Sequence, residues 1–154
     1  MTPGEIRRMW LRQSVSLPLF FVLLFAPAGT LDYWQGWVYG VLFAATSSGI
    51  GIYFFRNNPQ ALARRMKAGP LAEQRPAQKI IISLVFVGFL LLIAMPGLDH
   101  RWRWSEVPAW LALSANVLVI AGLLGTALVV KQNSFAASTI TVEAGQPVGA
   151  TGLY

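Results

Sequence analysis

Arg64 and Arg65 place two guanidinium groups side by side. A guanidinium is a planar fork that grips a carboxylate or phosphate at two points. The pair therefore fits an anionic substrate or a lipid headgroup. The plainer and preferred reading is a basic cytoplasmic loop held on the membrane surface by charge. His100 is the single histidine, and Asp99 precedes it. One imidazole beside one carboxylate falls short of a metal site, which takes three or more protein ligands. Asn116 is the one amide deep within an apolar run. An amide in that setting commonly bonds a neighbouring helix, for about 1 kcal/mol. Cysteine is absent, which excludes disulfides, thiolate nucleophiles and thiolate metal sites.

The elements that carry these groups are read from composition. Of 154 residues, 55% are hydrophobic and only 12% are charged, and mean hydropathy is +0.55. Water-soluble domains devote about a quarter of their residues to charge. The apolar excess lies in four runs, at about residues 13–28, 34–55, 80–98 and 107–130. The second run, as a helix, would be roughly 33 Å long, against a hydrocarbon core of about 30 Å. Tyr33, Trp34 and Trp37 flank one of its ends and Tyr53 and Phe54 the other, as interfacial aromatic belts do. The composition predicts an all-α, polytopic membrane protein with four transmembrane helices over 1–130. An extended cytoplasmic tail follows over 131–154.

No Asp, Glu, Lys, Arg or His falls within any of the four runs. Proton pumps, ion-coupled transporters and cation pathways usually need one there, so that class is set aside. The net charge of +6 raises a nucleic-acid partner, but the basic residues flank the apolar runs, where insertion and the inner leaflet favour them. Ten of the 12 basic residues fall on one side of the four-span arrangement, leaving only Arg101 and Arg103 on the other. This bias puts both termini and the 56–79 loop in the cytoplasm.

Along the chain, Ile6, Met9, Trp10 and Gln13 share a helical face, predicting a short surface helix before the first span. Pro18 falls in the first turn of that span, where proline is tolerated. Ala26-Pro27-Ala28 resembles a signal cleavage site, but further spans follow and the first run is read as a retained helix. In the second run Gly36, Gly40, Ala44 and Ser48 recur every four residues. Small residues on one face let a second backbone approach in lipid, so this face is read as a packing seam. Asn58-Pro59 signals a helix start, with Leu62 and Met66 toward lipid and Arg64, Arg65 and Lys67 toward water. Met95-Pro96-Gly97 is expected to loosen the end of the third run. The stretch from Asp99 to Glu106 is expected to form an interfacial loop. Ala121 with Gly125, and Ser114 with Gly122 and Thr126, give the fourth run further small faces.

The tail contains Asn133-Ser134-Phe135-Ala136, Thr141-Val142-Glu143 with Gly145-Gln146, and Thr151-Gly152-Leu153-Tyr154. That order resembles the segment preceding the cofactor motif of the isoprenylcysteine carboxyl methyltransferase family. These are integral membrane methyltransferases related to phospholipid methyltransferases. Gly29-Thr30-Leu31-Asp32-Tyr33-Trp34-Gln35-Gly36-Trp37 is similar to the first turn of many bacterial members. Asn58-Pro59 with Arg64-Arg65 is similar to their first cytoplasmic loop. The resemblance covers most of the chain, and its order and spacing are more specific than any one piece.

The resemblance implies S-adenosylmethionine as cofactor, with Gln146, Gly152 and Tyr154 at its entrance. It implies a lipid-like or prenylated acceptor, with Arg64 or Arg65 at its headgroup, in a bacterial inner membrane. In the family an Arg-His-Pro-x-Tyr motif follows and builds most of the pocket. No His-Pro pair occurs in this sequence. The expectation is a truncated amino-terminal part, inactive alone, with no catalytic residue among those present. The alternative is a small four-helix scaffold or subunit acting through the Gly36–Ser48 face.

Overall fold

The computed structural model describes residues 3–66 and 76–132. Five helices account for most of them: α1 (Pro3–Ala28), α2 (Trp34–Asn57), α3 (Pro59–Met66), α4 (Pro76–Trp102) and α5 (Ala109–Gln132). No strand occurs among the described residues. α1, α2, α4 and α5 are each long and apolar enough to cross a membrane. Their outward faces carry Leu19, Val22, Leu84, Val85, Leu92, Leu118 and Leu128, all exposed, while few apolar side chains are buried. Contiguous apolar surface on this scale is unstable against water and suits a hydrocarbon solvent. The protein is an all-α integral membrane protein with four candidate spans.

The helices form an open arc in the order α4, α1, α2, α5. α1 packs extensively on α4 and less so on α2, and α2 packs on α5. No comparable packing joins α4 to α5. The two links 29–33 and 103–108 lie at one end of the arc, the linker end. α3 lies at the other.

Two buried clusters hold the arc. At the linker end Leu24, Phe25 and Ala28 of α1 meet Tyr33 and Ile93. The Phe25 ring lies 4.6 Å from Trp37 at a tilt of 43°, and Phe20 stacks on Phe43 at 4.8 Å, so α1 and α2 adhere largely through rings. Gly97 marks a close approach of α4 to α1. A methyl group there would meet the Leu24 carbonyl oxygen at 2.8 Å and the Ala28 nitrogen at 3.1 Å. At the opposite end Phe54, Ala61 and Val130 are buried together, with Ile50, Leu62 and Ala127 against them.

Several boundaries differ from the sequence expectation. α1 is one helix from Pro3, so the surface segment and first span merge and Pro18 sits well inside. α4 continues through Pro96 to Trp102 instead of loosening. Its last turns are held by Gly97 on α1 and by His100 on Tyr33, and these contacts offset the hydrogen bond that Pro96 cannot donate. Leu62 packs on the α2–α5 cluster instead of facing lipid. The α3 start follows the sequence signal: Asn58 Oδ1 accepts the Ala61 N–H at 3.2 Å, and Pro59 opens the helix.

Candidate functional site

The linker end brings polar side chains from both links and from the end of α4 around one cavity. α1 stops there because Gly29 takes φ +67°, and its N–H donates to Phe25 O at 3.0 Å. This left-handed closure suits glycine. Thr30 Oγ1 accepts the Asp32 N–H at 3.0 Å, and Trp37 Nε1 donates to Leu31 O at 2.9 Å. The link is thereby fixed onto α2, with Tyr33 turned inward and 7% exposed.

α4 delivers Asp99, His100 and Arg101 to the same place. The His100 ring stacks on Tyr33 with centroids 4.4 Å apart. His100 Nε2 lies 3.1 Å from Asp32 O. A carbonyl oxygen only accepts, so Nε2 carries the proton in this contact. Asp99 Oδ2 accepts the Ser105 hydroxyl at 2.7 Å. The Arg101 guanidinium lies over Gly29, about 3.5 Å from where a methyl group would stand. Burial first, and the nearby Asp99 carboxylate second, raise the Tyr33 phenol above its ordinary value of 10.0.

These groups surround a cavity of about 810 Å³, open on one side. A volume of this order suits one small ligand. Tyr33, Gln35, Asp99, His100, Arg101 and Arg103 are among its polar lining residues, and Leu24, Leu92 and Val119 among its apolar ones. Asn116 also lines it and is 9% exposed. Its Nδ2 donates to Ala112 O, one turn back in α5, at 2.8 Å. The expected bond to a neighbouring helix is therefore replaced by one within α5. Asn116 Oδ1 and Gln35 Oε1 are both buried and have no hydrogen-bond partner.

The residues singled out from sequence fall in several places. Gly40 is buried beneath Phe21 of α1, and Ser48 Oγ accepts from Gln13 Nε2 of α1 at 3.3 Å. Gly36 lies under the ring of Tyr33, and Ala44 is half-buried between them on α2. Arg64 and Arg65 are on α3, at the end opposite the cavity. Gln146, Gly152 and Tyr154 lie outside the described residues. His100 is engaged with Tyr33 and Asp32, and no cluster of three metal-ligating side chains forms among the described residues.

Sequence reasoning named Gln35 and Tyr33 within the first-turn resemblance, and Tyr33 as an interfacial ring, but gave neither a place in a site. The available signal was their position: an amide and a phenol next to the first link, opposite a second polar link two spans later. A comparison with known proteins finds no family model, curated protein or solved structure that matches the chain.

Proposed function

We propose that this chain is the membrane-embedded amino-terminal part of an S-adenosylmethionine-dependent methyltransferase resembling isoprenylcysteine carboxyl methyltransferases. The observation that carries the proposal is the cluster of Phe54, Ala61 and Val130. It seats α3, which bears Arg64 and Arg65, against the end of α5. The end of α5, after which the sequence runs on to the motif-like residues Gln146, Gly152 and Tyr154, is therefore beside the arginine-bearing helix. An acceptor headgroup and a cofactor entrance would thus share one end of the bundle.

In this proposal that end faces the cytoplasm of a bacterial inner membrane, in line with its excess of basic residues. Arg64 or Arg65 holds the anionic part of a lipid-like or prenylated acceptor, while the acceptor's chain lies along the apolar helices. S-adenosylmethionine, when bound, would supply an electrophilic methyl group for in-line displacement, a step whose rate rests on positioning two reactants. The sequence holds no Arg-His-Pro-x-Tyr, so the 154-residue chain is assigned acceptor positioning and no chemistry of its own.

The test has two arms. Purified chain titrated with S-adenosylmethionine should show no binding in the micromolar range. DNA downstream of codon 154 should encode Arg-His-Pro-x-Tyr in some frame, and the lengthened protein should bind the cofactor. A stop codon followed by unrelated sequence would overturn the assignment.

A four-helix scaffold is the second reading. Gly122 and Gly125 favour it, since a methyl group at either would meet nothing within 4 Å. That leaves α5 a face open to a partner helix. Gly40 and Ser48, by contrast, are occupied by α1 within the chain.

A further inference from the structure

The linker-end cavity has no role in methyl transfer as proposed above, and a ligand bound there is independent of that proposal. α4 and α5 each give it one face at helical spacing: Leu92 and Pro96 on α4, and Ala112, Ala115 and Val119 on α5. Yet no extensive packing joins the two helices, and Leu92 is 73% exposed. The cavity therefore continues as a slot between α4 and α5 that opens on the membrane. Leu92 lies ten residues before the end of α4 at Trp102, and Val119 ten residues after the start of α5 at Ala109. Each is about 15 Å from its helix end, half of a hydrocarbon core of about 30 Å. The slot has the depth of one leaflet, which matches an acyl chain and not a spanning helix. Toward the links its lining carries both signs of charge. Asp32, Arg101 and Arg103 are exposed, and none forms an ion pair among the described residues. Asp99 lines the cavity as well, with one carboxylate oxygen taken by Ser105. Arg103 stands at φ +52°, a left-handed conformation that costs a side-chain-bearing residue energy and recurs at ligand sites. Opposite charges that share a cavity without neutralising one another suit a headgroup that itself carries both signs. A phosphate answers the two guanidiniums, and a cationic nitrogen answers Asp32. A purely anionic headgroup would meet the carboxylates with its own charge.

We propose that this slot holds one zwitterionic glycerophospholipid of the leaflet at the linker end. Its phosphate sits at Arg101 and Arg103, its ammonium group at Asp32, and one acyl chain lies between α4 and α5 along Leu92, Ala115 and Val119. The lipid fills the gap that the two helices leave. It lies at the end of the bundle opposite α3, where the methyl acceptor is placed, and so is not that acceptor.

The test uses the whole chain in maltoside micelles, with bound lipid read by native mass spectrometry. The probes are phosphatidylethanolamine, phosphatidylglycerol with the same acyl chains, and the soluble headgroup phosphoethanolamine. One partly exposed ion pair is worth about fivefold in affinity, so the zwitterionic lipid should bind about fivefold tighter than the anionic one. Asp32→Asn should bring the two affinities together. A joint Arg101→Gln, Arg103→Gln variant should weaken both lipids. Leu92→Trp, at an exposed position outside the buried clusters, should fill the slot, weaken both lipids and leave their ratio unchanged. Equal binding of the two lipids by the native chain, or tighter binding of the anionic one, overturns the proposal. So does a preference that survives Asp32→Asn, or a Leu92→Trp chain that binds both lipids as the native chain does. Phosphoethanolamine binding as tightly as the whole lipid also overturns it, since the site would then serve a soluble zwitterion.

Discussion

Gly97 and Gly122 are both helix glycines, yet they meet different surroundings. At Gly97 a methyl group would press on the α1 backbone, which cannot rotate aside as a side chain can. Gly97→Ala should therefore separate α4 from α1 and destabilise the fold by about 1–3 kcal/mol, the usual cost of overpacking. Gly122→Ala meets open space and should leave the midpoint of unfolding in detergent unchanged or slightly raised. Tyr33 supplies a test by pH. Its folded value is raised by burial and by Asp99, so the neutral phenol is favoured in the folded state. That contribution to stability is complete below the unfolded value of about 10 and is lost as pH rises through the folded one. Absorbance titration near alkaline pH should show a late-ionising tyrosine that Tyr33→Phe removes. Asp99→Asn should shift it downward, because one of its two causes is gone.

At the scale of elements, α1 is the centre of the arc, touching α4 on one side and α2 on the other. Its bond to α2, from Gln13 to Ser48, is a side-chain pair of the kind worth about 0.6 kcal/mol in membranes. Ser48→Ala should thus cost well under 1 kcal/mol in unfolding measurements, leaving the ring contacts of Phe20 with Phe43 and Phe25 with Trp37 to hold the pair. α3 is short, and its place depends on tertiary contact. Asn58 caps it, but Ala61 fully buried against Phe54 and Val130 is what seats it. The sequence signal for its start was local, a cap and a proline, and so was readable. The direction of Leu62 was not, because lipid and a neighbouring helix are equally apolar and only the arrangement of α2 and α5 distinguishes them.

For the whole molecule, reporter fusions after Phe55 and after Trp104 lie at opposite ends of the helix arrangement. They should give opposite localisation signals, with the first in the cytoplasm. Identical signals at both would contradict the four-span fold. The spans themselves were legible because the absence of charge over some twenty residues is a one-dimensional property that lipid reads directly. Proline and glycine near Pro96 misled about the end of α4, since their local effect was outweighed by contacts 68 residues away, between His100 and Asp32. The candidate site was legible only in part. His100, Asp99 and Asn116 stood out by type, but each was weighed by its sequence neighbours. Sequence by itself determined that hydrocarbon solvates four helices and that α3 begins at Asn58-Pro59, because both follow from composition and near-neighbour chemistry. Tertiary structure alone decided that α1 lies between α4 and α2. It alone left α4 and α5 without extensive packing and gathered Tyr33, Gln35, His100 and Asn116 around one cavity, because such contacts join residues that no periodicity connects.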